Sequence, residues 1–316
     1  MRSGLLAAGL ALATAAAIGA ASTPDAAAAE PPAPAAPPAA DPAAAGPALT
    51  PPARLPWGAV PQTRRGTGTT RPAYAPKGRA PSAAGATLAP PAAAAAAADP
   101  IHYMYGIGSQ TVAVQKAYAN FTVAKPTVAQ ADFHSLAELA MLSADGQQIV
   151  EVGWTVDRDV NSGDVNPHLF VFHWKDGAGT CYNGCGFVPY GGTATAGMAL
   201  PVGSSKQFGV VHDGGAWWIA YDTTWVGYFP DSLWEGRFTV TGKVKFYGEV
   251  AAATAQPCTQ MGNGLAADDA NAARIGSASY PDSTEPVKLV VRTQGGVYSA
   301  VALSDRTFRY GGPGAC

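Results

Sequence analysis

Ile149-Val150-Glu151-Val152-Gly153-Trp154-Thr155-Val156 alternates strictly in character. Val150, Val152, Trp154 and Val156 fall on one face of an extended chain, and Ile149, Glu151, Gly153 and Thr155 on the other. Runs of this kind, rich in β-branched and aromatic residues, read as strands. A second one, Lys243-Val244-Lys245-Phe246-Tyr247-Gly248-Glu249-Val250, sets Val244, Phe246, Gly248 and Val250 against Lys243, Lys245, Tyr247 and Glu249. Only five glutamates lie beyond residue 100, and two of them sit in these apolar surroundings. An ionised carboxylate is costly there unless it is paired, hydrogen-bonded or needed for chemistry. Two such groups on distant strands suggest one shared active site. The plainer alternative makes both solvent-facing strand residues, with Glu249 neutralised by Lys245.

Outward from these runs, residues 101–316 hold many short strand-like stretches between Gly, Asn, Asp and Pro clusters: 112–124, 147–157, 168–174, 207–212, 216–222, 225–229, 237–250, 287–292 and 297–302. The expected fold is all-β, an antiparallel two-sheet sandwich of jelly-roll type, with a closed barrel as the alternative. Asp213-Gly214-Gly215 reads as a hairpin turn, and so does Asp222-Thr223-Thr224. His134 to Leu142 is the main helix candidate, although its start could equally be extended. Trp154, Trp174, Trp217, Trp218, Trp225 and Trp234 are expected mostly in the core. Asn120-Phe121-Thr122 matches a glycosylation sequon, meaningful only in a host that glycosylates.

The first hundred residues differ in kind. Arg2, the Ala/Leu-rich stretch from Gly4 to Ala21 and the small residues Ala27-Ala28-Ala29 have the layout of a signal peptide over 1–29. A membrane anchor is the rival, but the apolar part is dominated by alanine and barely long enough. Residues 30–100, mostly Ala and Pro, read as a disordered linker, cell-wall spacer or pro-segment. Arg54, Arg64, Arg65, Arg71, Lys77 and Arg79 cluster there. The arginine pair is a candidate processing site, while such charges more often only keep a linker soluble. The domain at 101–316 carries thirteen Lys/Arg against eighteen Asp/Glu, which argues against nucleic acid as a partner. Cys181, Cys185, Cys258 and Cys316 are an even set in an exported chain, and we pair Cys181 with Cys185 and Cys258 with Cys316. A zinc site fits their spacing poorly.

No Gly-x-Ser-x-Gly elbow or His-Glu-x-x-His motif is present, and His102, His134, His168, His173 and His212 lack ligand spacing. The chain does resemble the neprosin-type glutamic peptidases across nearly all of 101–316. The resemblance runs through Phe133-His134-Ser135-Leu136, Val150-Glu151-Val152-Gly153-Trp154, His168-Leu169-Phe170, Thr180-Cys181-Tyr182-Asn183 and Cys185-Gly186-Phe187. It continues in Trp217-Trp218, Val226-Gly227-Tyr228-Phe229-Pro230, Gly248-Glu249-Val250, Thr259-Gln260-Met261-Gly262 and Ala278-Ser279-Tyr280. It implies a secreted β-sandwich enzyme with catalytic Glu151 and Glu249, cutting peptides after proline and favoured in acid. Tyr247 departs from the small residue expected before the final Gly-Glu and would narrow the cleft. The 30–100 region lacks the activation domain of plant relatives.

Two carboxyls sharing a site titrate as a unit, so that at mildly acidic pH one is ionised and the other protonated. The first draws a proton from water and the second supports the carbonyl oxygen or the leaving nitrogen. Gln260 is a candidate oxyanion helper, against the alternative of an amide satisfying backbone groups. Gly153 is expected to leave room for a substrate backbone. The expected partners are proline-containing peptide or protein substrates, cut by a monomer outside the cell or at its wall, with no nucleic acid, membrane, metal or cofactor. Two rivals keep the same fold: a glycoside hydrolase using the same glutamates, and a carbohydrate-binding module with a tryptophan platform.

Overall fold

The computed structural model describes residues 70–78 and 100–316. The signal-peptide reading of 1–29, the Arg64-Arg65 pair and most of 30–100 lie outside the described residues. From the first described strand onward the order is β1 (His102–Thr111), β2 (Lys116–Thr122), β3 (His134–Leu142), β4 (Ile149–Asp157), β5 (His168–Lys175), β6 (Ala178–Gly179), β7 (Val188–Pro189) and β8 (Ser205–Asp213). There follow β9 (Ala216–Tyr221), β10 (Thr224–Pro230), a 3-10 turn at Asp231–Trp234, β11 (Lys243–Ala252), β12 (Arg274–Ser279), β13 (Val290–Gln294), β14 (Ser299–Ser304) and β15 (Thr307–Gly311). One sheet has the order β13-β1-β11-β3-β4-β5-β6 and the other β14-β15-β12-β2-β8-β9-β10-β7. The pairings are antiparallel throughout, and the fold is the two-sheet sandwich rather than the barrel.

The alternation read from the two glutamate strands fixes how the sheets stack. Val150, Val152, Trp154 and Val156 of β4 join Val244, Phe246 and Val250 of β11 in the core between the sheets, against Phe121, Phe208, Trp217 and Ile219 of the second sheet. The Trp154 indole N–H, inside that core, donates to the Thr122 carbonyl at 3.0 Å. Because the side-chain period is two, Glu151 and Glu249 must then face away from the core, on the outer side of the first sheet.

That outer side is itself covered. Tyr105, Ile107, Leu136, Ala140, Leu142, Ile149, Phe170, Phe172, Trp174, Tyr182 and Tyr247 form a second buried apolar cluster there.

The helix expected at 134–142 is strand β3 instead, paired with β11 on one side and β4 on the other. Its Ala, Leu and Glu residues are good helix formers, but the position decides. Ala137, Leu139 and Met141 enter the inter-sheet core, while Leu136, Ala140 and Leu142 enter the outer cluster. A strand buried on both faces loses the polar half of its alternation, which hides the period. Strands β1, β12 and β15 were also not anticipated, and glycines (Gly106 and Gly108, Gly276, Gly311) interrupt each of them.

The Asp213 turn is a hairpin in which Gly214 and Gly215 both take positive φ, at 56° and 77°. Asp222, at φ 53°, turns β9 into β10 as expected. Both disulfides form as paired, Cys181 with Cys185 and Cys258 with Cys316.

Gly248 shows how tightly the sheets meet beside Glu249, since a Cβ there would run into the ring of Tyr310 from the opposite sheet. Gly248→Ala should therefore cost about 1–3 kcal/mol of stability through overpacking. A urea-unfolding midpoint equal to that of the unsubstituted protein would refute this.

Candidate active site

Register places three acidic residues on one patch of the outer face. Glu249 on β11 pairs with Leu136 of β3, Glu151 on β4 pairs with Ala140, and Glu138 lies between these positions on β3, opposite Tyr247 and Gly153. All three are fully buried. Three carboxylates in one apolar pocket repel one another and lose their hydration, so a cation has to be among them or protons have to bind.

The cation is Lys77. Its Nζ donates to Glu138 Oε1 at 2.9 Å and lies 3.4 Å from Glu151 Oε2 and 3.5 Å from Glu249 Oε2. The ammonium also stands 5.7 Å from the centre of the Tyr247 ring, within cation–π range. Burial opposes its charge, but the three carboxylates outweigh burial and its pKa is raised. One ammonium is thus within 3.5 Å of both Glu151 and Glu249.

Lys77 arrives on residues 70–78, a strap within the region read from sequence as linker or pro-segment. There it is not a solubilising linker charge but a buried one. Ala73 exchanges two backbone hydrogen bonds with Tyr182, at 3.1 and 2.9 Å. Pro72 packs against Gly184 in the loop closed by Cys181 and Cys185, so closely that a Cβ on Gly184 would meet it at 2.6 Å. At the other end the Gly78 N–H donates to Glu249 Oε1 at 3.1 Å. The Lys77 ammonium donates back to the Gly78 carbonyl at 3.0 Å. A Cβ on Gly78 would collide with the Tyr105 hydroxyl and the Tyr103 ring.

The two glutamates named from sequence have different surroundings. Glu151 Oε1 accepts from the Trp174 indole at 3.1 Å and from the Tyr247 hydroxyl at 3.4 Å. Its pKa is raised, chiefly by burial, with Lys77 opposing and Glu249 adding to the rise. Glu138 is raised further, by burial and by Glu151, against the pull of Lys77. Glu249 goes the other way. Burial favours its neutral form, but Lys77, the His134 ring and the Gly78 N–H together bring its pKa below the ordinary value.

The remaining candidates divide. Tyr247 is in the site, bonded to Glu151 and stacked beside Lys77. Gly153 serves the sheet rather than a substrate, because a Cβ there would collide with the Ala137 carbonyl and come within 2.8 Å of the Glu138 backbone. Gln260 is engaged elsewhere, its Oε1 accepting from the Thr127 N–H at 2.9 Å. Among the described residues no cluster of acidic, His or Cys side chains has a metal-holding arrangement.

Sequence reading missed Lys77, Glu138, His134 and Trp174 as members of the site. Glu138 was recoverable, since a period-two reading of 134–142 puts it on one face with His134 and makes it the third of five scarce glutamates. Lys77 had no such signal, being one of several cations in a region of low complexity.

Residues 131–313 match the Neprosin family model. The chain belongs to the neprosin family. It is accordingly a glutamic-type peptidase. Among solved structures, a scytalido-glutamic peptidase bound to a transition-state analogue inhibitor overlaps 67% of this chain and 99% of its own, at 10% identity and a TM-score of 0.38. SCP-B, described as an eqolisin-family peptidase in complex with the tripeptide Ala-Ile-His, overlaps the same shares at 10% identity and a TM-score of 0.33. The carbohydrate-binding module CBM66 from Bacillus subtilis overlaps 46% of this chain and 78% of its own, at 11% identity and a TM-score of 0.26. At such low similarity these overlaps assign no function.

While seated, Lys77 draws the pKa of all three carboxyls downward, so strap release takes up protons and acid favours it. The Gly78 and Ala73 amides should be protected from hydrogen exchange at neutral pH. They should lose protection as pH falls through the raised values of Glu138 and Glu151, before the core amides do. Loss of all amides together would contradict a separately released strap.

Proposed function

We propose that this neprosin-family chain is an exported endopeptidase that hydrolyses proline-containing peptides with Glu151 and Glu249 as its catalytic pair, and that it is most active in acid. One observation carries the choice of peptide over sugar. The two glutamates are already covered by a polypeptide segment, with Pro76 immediately before Lys77 and a main-chain N–H donating to Glu249. The Pro76 carbonyl lies 3.5 Å from the Tyr182 hydroxyl. A site that seats Ala-Pro-Lys-Gly in this way suits a proline-bearing substrate.

The groups that remain once the strap leaves divide the labour, since Glu249 keeps the His134 ring and Glu151 keeps the neutral donors Trp174 and Tyr247. Glu249, held ionised, takes a proton from a water molecule as its oxygen attacks the scissile carbonyl carbon. Glu151, neutral, hydrogen-bonds the carbonyl oxygen as negative charge develops there and passes its proton to the departing nitrogen as the C–N bond breaks. The products are a carboxylic acid and an amine, and proton exchange within the pair restores the starting state. Activity in this scheme falls on the acid side as Glu249 protonates and on the alkaline side as Glu151 ionises.

The same reading makes the strap inhibitory. The Lys77 ammonium stands between the carboxylates where the water would have to stand, so residues up to Gly78 act as a pro-segment of the domain that begins near residue 101. The full-length protein should be poorly active near neutral pH, and Lys77→Met should raise that activity at least about ten-fold, the effect of weakening strap binding by about 1.4 kcal/mol. Equal activity of the two forms, or no change on deleting residues 30–100, would count against the pro-segment.

Glu151→Gln and Glu249→Gln, each in the Lys77→Met background, should lower turnover of a proline-rich peptide by about 100-fold or more. Mass spectrometry of the products also reads the position of the cut relative to proline. Sugar release from xylan without peptide cleavage would overturn the peptidase reading.

A further inference from the structure

His134 is buried on the outer face of the first sheet and lies between two acids. Its Nε2 is 2.8 Å from Glu249 Oε1. Its Nδ1 faces Asp157 Oδ2 at 3.6 Å, an ionic contact longer than a hydrogen bond. Asp157 is held in turn, its Oδ1 accepting from the Asp159 N–H at 2.9 Å and the Val160 N–H at 3.1 Å. The three groups follow from pairing alone, since His134 at the start of β3 is opposite Asp157 at the end of β4 and next to the β11 residue Ala251, two from Glu249.

Resting on the reading of Glu249 as the base, we propose that His134, backed by Asp157, is a positioning residue that holds Glu249 ionised and correctly aimed once the strap has left. The strap supplies Lys77 and the Gly78 N–H to Glu249 only while it covers the site. Among the described residues, the groups facing Glu249 from the sandwich itself include Glu138 and His134 on β3, Glu151 on β4, Tyr103 and Tyr105 on β1, and Tyr182 in the disulfide-closed loop. Of these, His134 alone can carry positive charge. Glu138 and Glu151 both push a proton onto Glu249, so without the imidazolium the trio would not select which carboxylate stays ionised. Burial works against a charged ring, but Asp157 and Glu249 outweigh burial and the His134 pKa is raised. The imidazolium can then donate from Nε2 while Nδ1–H points at Asp157, an arrangement in which Asp157 fixes the ring and the ring fixes Glu249.

The test is the pH profile of kcat/KM in the Lys77→Met protein, with and without His134→Gln. Glutamine can still donate to Glu249 but carries no charge. The acid limb should move upward by about one pH unit or more, the alkaline limb set by Glu151 should stay, and Asp157→Asn should shift the acid limb in the same direction by less. An unmoved acid limb in a folded His134→Gln protein would overturn the proposal, even if turnover drops, since packing loss alone does not move a limb. Should that variant fail to fold, NMR of the histidine ring nitrogens in the Lys77→Met protein decides. A neutral His134 at pH values below the ordinary histidine range overturns the proposal, and an imidazolium persisting above that range supports it. Retained activity in Glu249→Gln would refute the catalytic reading itself, whereas an inactive Glu249→Gln with an unmoved acid limb in His134→Gln would refute only the part played by His134.

Discussion

One ammonium among three buried carboxylates is the interaction on which the arrangement of this molecule depends. Glu138, Glu151 and Glu249 could not all be ionised in their pocket without it, because each is fully withdrawn from water and each repels the others. Lys77 reconciles them by drawing a remote piece of chain across the outer face of the first sheet. The same contact that stabilises the acids therefore hides them. A group that removes one positive charge from the patch changes its chemistry as well as its stability, since the acids then hold protons to be moved.

The position of the patch follows from sheet geometry. The inter-sheet core consumes one face of β3, β4 and β11, and the period of two sends every second residue outward. Ordinarily that face would meet water and carry ordinary surface charges. Here aromatic residues from β1, β5 and the disulfide-closed loop wall it in, including Tyr105, Phe172, Trp174 and Tyr182. The walls lower the local polarity, and this separates the pKa directions of otherwise identical side chains. Both have Lys77 beside them, but Glu151 adds only two neutral donors and stays raised, whereas Glu249 adds a histidine and a backbone N–H and is lowered.

Much of this was legible in the sequence, for a definite reason. Glu151 and Glu249 stood out because their strands keep a clean alternation, with large apolar residues on one side only. The cysteine pairs, the Asp213 and Asp222 turns and the all-β class were readable from local chemistry in the same way. Glu138 was hidden because β3 is apolar on both faces, so its composition imitates a helix. The role expected of Gly153 rested on its sharing a face with Glu151 and that of Gln260 on its amide, whereas their neighbours Ala137 and Thr127 are set by pairing across the sheet and between loops that no local pattern encodes. Lys77 was least legible of all, because nothing in an Ala/Pro-rich stretch says which of its cations finds a partner sixty residues away.

Gly78 gives the strap a narrow tolerance. It threads beneath Tyr103 and Tyr105 where no Cβ fits, immediately after the lysine that binds the acids. Under the inhibitory reading the safety catch of this protein is thus one methyl group wide. A side chain there would press on the Tyr105 hydroxyl and the Tyr103 ring and, on that reading, loosen the hold of the strap on the acids.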